Sequence, residues 1–255
     1  MKRRYIDEIV IKSPVDKNSY LAELPAVKYL EEKGSLSFNA DVTFLVGENG
    51  TGKSTLIEAI AVASGFNPEG GTKNFSFSTS SDGEEYHSEL WKHITTARIR
   101  YPKDGFFLRA ESFFNAASYI DELDRIPAAS PKIIESYGGI SLHKQSHGES
   151  FLALVQNRFS GHGLYILDEP EAALSPMRLM TLIAEIDRLV KKDSQFIIST
   201  HSPMLLAFPH AEVLQLDGSG IKAVNYRDTE HYRTTRRFLE NPEKMIKYLT
   251  GDDEQ

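Results

Sequence analysis

The run Val42 to Val46 is β-type, and a glycine-rich stretch follows it directly. Beyond that stretch Leu56, Ile57, Ile60 and Ala61 recur at helical spacing. The pattern predicts a strand, a loop and a helix over Lys53–Ser64, with Gly65 as its stop. Residues 67–83 are rich in Gly, Ser and Thr and read as a loop or short hairpin. Two strands are expected at 93–101 and 105–110 around a turn at Pro102–Gly105, then a helix at 112–123 and irregular chain at 127–139. From Ser146 the pattern becomes regular. A helix runs to about Phe159, a strand covers Leu164–Leu167, and a helix starts at Pro176 with Ser175 as its N-cap. That helix presents Leu182, Ile183, Ile186, Leu189 and Val190 on one face, and the strand Phe196–Ser199 follows it.

Strands alternating with helices at this spacing predict an α/β fold: a mostly parallel sheet with flanking helices. The stretch near 93–110 suggests a smaller antiparallel β element. Residues 112–160 would form a helical lobe within one domain spanning 1–255, and 231–255 a C-terminal helix with an acidic tail.

Composition narrows the class. Of 255 residues, 40% are hydrophobic and 25% charged, ordinary for a soluble globular protein large enough to bury its own core. There is no cysteine, which excludes disulfides, thiolate metal sites and thiol nucleophiles and fits a reducing cytoplasm. The first residues lack the apolar core of a signal peptide, and no run of about 18 apolar residues suggests a membrane span. The net charge of −7 disfavours a global pull on nucleic acid, so any such contact must be local. The basic stretch His231 to Arg237 reads as a solvated helix face, with a phosphate or nucleic-acid contact as the other reading.

Three strand ends carry candidate chemistry. Gly47, Glu48, Asn49, Gly50, Thr51, Gly52, Lys53 and Ser54 match the P-loop pattern, with a strand before and a helix after. Glycines let backbone N–H groups approach phosphate oxygens, and the helix start adds its positive end. Lys53 would reach the β- and γ-phosphates, Ser54 would offer a hydroxyl to Mg²⁺, and Thr55 would support the α-phosphate. Asp168 and Glu169 close the apolar strand Leu164–Leu167, where an open α/β sheet binds its ligands. Asp168 would hold Mg²⁺ and Glu169 would polarise a water, against the plainer reading of two carboxylates capping the next helix. His201 ends the next strand and would donate to the γ-phosphate or to the attacking water. Ser146 and Glu149, three residues apart at a helix start, match a capping box. The same serine and glycine at a helix N-terminus also suit an anion.

In this order GENGTGKST, SHGES, LDEPE and STHSP resemble the ATP-binding-cassette class of ATPases over roughly residues 36–216. GENGTGKST and DEPEAALSP are closer to its SMC/RecF-like branch and to small single-domain bacterial AAA-family ATPases than to transporter subunits. The resemblance implies a P-loop NTPase fold with a helical signature lobe, ATP and Mg²⁺ as ligands, and hydrolysis of ATP to ADP and phosphate. Glu169 and His201 would be catalytic, and Ala172 to Ser175 would stand at the D-loop. Ser146, Gly148 and Glu149 would act across a homodimer formed on ATP binding, on the Lys53 site of the partner.

Two departures stand out. The class has a glutamine on Mg²⁺ after the strand that here ends near Ala110, and this chain has Glu111, whose carboxylate would serve the metal instead. The interval between P-loop and signature lacks sustained heptads, so long coiled-coil arms are excluded. The load of such a motor would be a partner effector protein or a nucleic acid, with no membrane. A small-molecule P-loop kinase, an ATP-dependent switch without hydrolysis and a transporter subunit are the competing functions.

Overall fold

The computed structural model describes residues 4–72, 88–110, 118, 121, 124, 132–141, 143 and 145–251. In chain order its strands are β1 (Ile6–Ile11), β2 (Ser35–Ser37), β3 (Val42–Gly47), β4 (Ile94–Arg98), β5 (Asp104–Arg109), β6 (Gly163–Asp168), β7 (Gln195–Ser199), β8 (Glu212–Asp217) and β9 (Gly220–Val224). Its helices are α1 (Pro25–Lys33), α2 (Lys53–Ala63), α3 (His147–Arg158), α4 (Pro176–Lys191), α5 (Pro203–Leu206), α6 (Glu230–Glu240) and α7 (Pro242–Thr250).

Six strands form the main sheet in the order β5-β6-β7-β3-β8-β9, parallel except for the closing antiparallel pair β8–β9. The inner strands are buried on both faces, as a parallel sheet covered on both sides requires. Side chains on a strand alternate between faces, so each strand feeds two cores. Leu45, Phe107, Ile166 and Ile197 pack with Leu56, Ile57 and Ile60 of α2. Their neighbours Phe44, Phe106, Tyr165 and Ile198 pack with Phe151 and Leu154 of α3 and Leu182 and Ile186 of α4. In that second core Phe159 stacks on Tyr165 with ring centroids 4.2 Å apart, a pair worth about 0.5–1.5 kcal/mol beyond its burial.

A three-stranded antiparallel sheet, β2-β1-β4, closes over the α2 side. The buried Gln195 amide joins the two sheets. Its Oε1 accepts from the backbone N–H of Tyr5 (2.8 Å) and Ile6 (2.9 Å), and its Nε2 donates to the Ile6 carbonyl (2.9 Å).

The predicted parallel core, its flanking helices and the antiparallel element are all present. The strands expected at 93–101 and 105–110 do not pair with each other. β4 joins the antiparallel sheet through β1, whereas β5 is the edge of the parallel sheet beside β6. The apolar face of β5 is needed in both cores of the main sheet, which outweighs the local turn signal. The helix expected at 112–123 falls largely on residues outside those described, as does the loop at 73–83. The C-terminal stretch forms two helices, α6 and α7, broken at Asn241 before Pro242.

Candidate functional site

Parallel pairing aligns the C-terminal ends of β3, β6 and β7 along one edge of the sheet. Asp168 pairs in register with Ser199 on one side and Arg109 on the other. The motifs that leave these strands therefore meet above that edge.

The loop after β3 is held by its own backbone. Gly47 sits at φ 155°, and a Cβ there would lie 2.2 Å from the Leu216 carbonyl oxygen of β8. Only glycine permits this approach. The Thr51 hydroxyl donates to the Glu48 carbonyl at 2.8 Å, while Glu48, Asn49 and Gly50 form an exposed tip. Lys53 opens α2 and is only 4% exposed. Its Nζ donates to the carbonyls of Gly47 (2.6 Å) and Glu48 (3.0 Å). Burial pushes its pKa down, against the pull of Glu169, Asp168, Glu171 and Glu48. Ser54 is exposed and Thr55 half-buried in the first turn of α2.

Asp168 ends β6 at 7% exposure. Arg109 at the end of β5 places its Nε 3.6 Å from Oδ2 of Asp168 and donates from Nη1 to Oε2 of Glu58 at 2.7 Å. Glu58, buried in α2, also accepts from the Ser88 N–H at 2.9 Å.

Glu169 adopts a left-handed conformation, φ 48°, ψ 53°, which costs a non-glycine residue on the order of 1–3 kcal/mol. Its N–H donates to the Ser199 carbonyl at 3.0 Å, and its Oε1 lies 3.3 Å from Nε2 of His201. The loop after β7 is tied down by Glu171, whose Oε1 accepts from the Thr200 hydroxyl (2.8 Å) and the His201 N–H (2.5 Å). Burial pushes the Glu171 carboxyl up, against these hydrogen bonds. Burial also lowers the pKa of His201, helped by the Lys53 charge and opposed by Glu169. On its far side, Nδ1 of His201 is 2.7 Å from Nε2 of His231 in α6.

The helix start at Ser146 has its own set of partners. The Ser146 N–H and hydroxyl both donate to Oε2 of Glu149, at 3.0 and 2.6 Å; the N–H bond, with the Ser146 side chain accepting from the Glu149 N–H, makes the predicted capping box. Arg178 of α4 donates to the Ser146 hydroxyl (3.2 Å) and to Oε1 of Glu149 (2.8 Å). Gly148 is buried against the turn Pro170–Ala173, where a Cβ would meet the Ala173 carbonyl at 2.8 Å and Arg178 Nη1 at 2.9 Å. No hydrogen bond of Ser146 or Glu149 reaches the P-loop among the described residues.

The structure thus brings Lys53, Asp168, Glu169 and His201 together, while Ser146 and Glu149 bind each other and Arg178, and Gly148 packs on the turn Pro170–Ala173. Glu111 lies outside the described residues. Sequence reasoning missed Arg109, Glu58, Glu171 and His231. Glu171 had a signal, as a third acid in the run from Asp168. His231 had none, and its segment is no bare basic face: Arg233 pairs with Asp228 at 2.8 Å and Arg236 with Glu240 at 2.7 Å.

The donors fit a nucleotide and a hard cation. The glycine-lined loop and buried ammonium suit phosphates. The Ser54 hydroxyl and Asp168 carboxylate are oxygen donors. Among the described residues no three acidic, histidine or cysteine side chains gather into a protein-only metal cage. Magnesium is commonly held this way, by one or two carboxylates with substrate phosphate and water.

A family model described as "AAA domain, putative AbiEii toxin, Type IV TA system" matches residues 80–207, and one described as "AAA domain" matches residues 26–118. The chain belongs to the AAA-domain family. Relatives of this AAA-domain protein include the "Cytochrome c biogenesis ATP-binding export protein CcmA" of Aliivibrio fischeri, 27% identical over 63% of this chain and 78% of that one. The "Retron Vc95 probable ATPase" of Vibrio cholerae is 28% identical over 46% of this chain, and the match covers 25% of that protein. The "Ribose import ATP-binding protein RbsA" of Bacillus cereus is 28% identical over 63% of this chain and 34% of that one. The chain therefore spans about a quarter of the retron relative and a third of RbsA.

Among solved structures, cbiO1 from Clostridium perfringens aligns with 97% of this chain and 100% of its own at TM-score 0.46 and 16% identity. The SMC head domain from Thermotoga maritima aligns with 87% of this chain and 99% of its own at TM-score 0.41 and 16% identity. No described helix is long and apolar enough to cross a membrane.

Proposed function

We propose that this AAA-domain protein is a magnesium-dependent ATPase that closes head-to-tail on a second copy around two ATP molecules and reopens after hydrolysis. Lys53 and the N–H groups of residues 47–55 bind the phosphates. Ser54 and Asp168 hold Mg²⁺, which neutralises phosphate charge when bound. Glu169 accepts the proton of the attacking water, and His201 donates to the γ-phosphate. Ser146, Gly148 and Glu149 complete the site of the opposite copy. ATP binds better to the closed state than to the open one, so it shifts the population towards closure. The load is a partner effector protein or a nucleic acid. The retron relative is itself named a probable ATPase.

One observation carries this reading. A carboxylate and an imidazole, Glu169 and His201, stand 3.3 Å apart beside the buried Lys53, while the Ser146 helix has its own partners. The first group supports a γ-phosphate site in this chain. The Ser146 helix start, bound to Glu149 and Arg178 and, among the described residues, not to the P-loop, supports a role towards another molecule.

The Glu169→Gln variant tests it. With saturating ATP and Mg²⁺ that variant should accumulate as a dimer in light scattering and lose turnover. A monomer under those conditions would sink the trans-acting Ser146 helix.

A transporter subunit is the second reading, supported by the names of CcmA and RbsA as export and import ATP-binding proteins. Affinity capture of the Glu169→Gln form with ATP separates the two. An integral membrane protein in the eluate favours the transporter, and a soluble effector or nucleic acid favours the switch.

A further inference from the structure

The C-terminal helices follow the main sheet and carry none of the motifs, yet α6 begins beside the P-loop. Residues 229–231 share a cavity with Gly47, Glu48, Thr51 and Leu216. The helix start is pinned there. Thr229, 1% exposed, is its N-cap, and its hydroxyl donates to the Tyr226 carbonyl at 2.6 Å and accepts from the Tyr232 N–H at 3.4 Å. Tyr226 and Tyr232 also meet edge to face at 5.2 Å. Two residues past this cap, the His231 ring lies 4.8 Å from that of His201, centroid to centroid, with 2.7 Å between Nε2 and Nδ1.

We propose that His231 is the positioning residue of His201: by donating its Nε2 proton to Nδ1 of His201, it keeps the proton of His201 on Nε2, aimed at Glu169 and the Lys53 loop. The inference rests on the ATPase reading above for its functional consequence, but its geometry does not.

The direction of the chain follows from what each group can do. An ionised carboxylate only accepts, so the 3.3 Å contact to Glu169 requires a proton on Nε2 of His201. A neutral imidazole then presents a lone pair at Nδ1, and a donor must stand there. Nε2 of His231 is that donor. The same tautomer that gives an N–H to Glu169 gives one to a phosphate oxygen, whereas the opposite tautomer would turn a lone pair on the anion. An orienting partner on the far ring nitrogen is how imidazoles are held for catalysis in other sites.

Both rings are kept towards the neutral form this chain needs. Burial and the Lys53 charge lower His201, against Glu169. Burial, His201 and Lys53 lower His231, against Glu230 and Glu171. The consequence is that α6, which packs on α5 and α7 at the rim, is wired to the γ-phosphate group, and a displacement of the C-terminal helices would release the His201 tautomer.

The test compares wild type, His231→Leu and His231→Gln, the last restoring an N–H donor. Each is read by steady-state ATP hydrolysis and by ¹⁵N-histidine NMR, with the His201 signals assigned through His201→Gln. Wild-type His201 should carry its proton on Nε2. In His231→Leu the two tautomers should mix and kcat should fall roughly 10- to 100-fold, the usual loss when an imidazole loses its orienting partner, with KM little changed. His231→Gln should recover both.

A wild-type proton on Nδ1, or a His231→Leu variant with unchanged tautomer, would overturn the proposal. So would a kcat that falls equally in His231→Leu and His231→Gln. Wild-type protein that binds ATP without turning it over would overturn the ATPase reading instead, and the tautomer shift alone would then decide the role of His231.

Discussion

Arg109 donates to Glu58 at 2.7 Å and so ties the last residue of β5 to the helix that follows the P-loop. The same guanidinium stands 3.6 Å from Asp168. One cation therefore offsets two carboxylates under the nucleotide site, in a place where side-chain exposure is 17% for Arg109 and 8% for Glu58.

Breaking a pair this buried leaves an uncompensated charge, so Arg109→Met should cost about 3–5 kcal/mol. The double variant Arg109→Met/Glu58→Gln should recover most of that loss, because Gln removes the orphaned charge and still accepts from the Ser88 N–H. Urea midpoints at unchanged slope measure both. If the double variant were as unstable as the single one, the pair would not be acting through charge.

The platform that carries Ser146 depends on Gly148. Its obstacle is space: an added Cβ would press on the Ala173 carbonyl at 2.8 Å, and that atom is backbone. Gly148→Ala should therefore push α3 off the Pro170–Ala173 turn at about 1–3 kcal/mol. Placed in the Glu169→Gln background, it should weaken the proposed ATP-dependent dimer in light scattering while fluorescent-nucleotide binding to the single chain holds. An unchanged dimer would place the platform outside the interface.

Glu171 gives a pH dependence of definite sign. Burial raises its folded pKa above the ordinary value of 4.5. A raised pKa means that its contribution to stability is fully present below pH 4.5 and is lost as pH climbs through the folded value. Glu171→Gln keeps an acceptor for Thr200 and the His201 N–H without the buried charge. It should be more stable than wild type at neutral pH, with the difference closing below pH 4.5. Thermal melts across that range check the crossover, and a constant offset would show that the carboxyl is not titrating in the folded state.

Much of the fold and part of the site are legible in the chain itself. Val42–Val46, Leu164–Leu167 and Phe196–Ile198 are mainly apolar runs, with Thr43 the one polar residue inside them, because parallel strands are buried on both faces, and a helix follows each in the same rhythm. Lys53, Asp168, Glu169 and His201 are marked by where they stand, at the ends of those runs. Such signals are local, since a strand end, a glycine loop and a capping box each fit within about ten residues. The partners of these residues are not local. Arg109 meets Glu58 across the sheet, Gln195 seizes the backbone of Tyr5 and Ile6, and His231 reaches His201 from a helix whose own sequence reads as a solvated basic face. The separation of β4 from β5 into different sheets belongs with these. The sequence determined the chemistry that each strand delivers; the tertiary structure decided which side chains hold it in place, because register and crossover, not spacing along the chain, set those contacts.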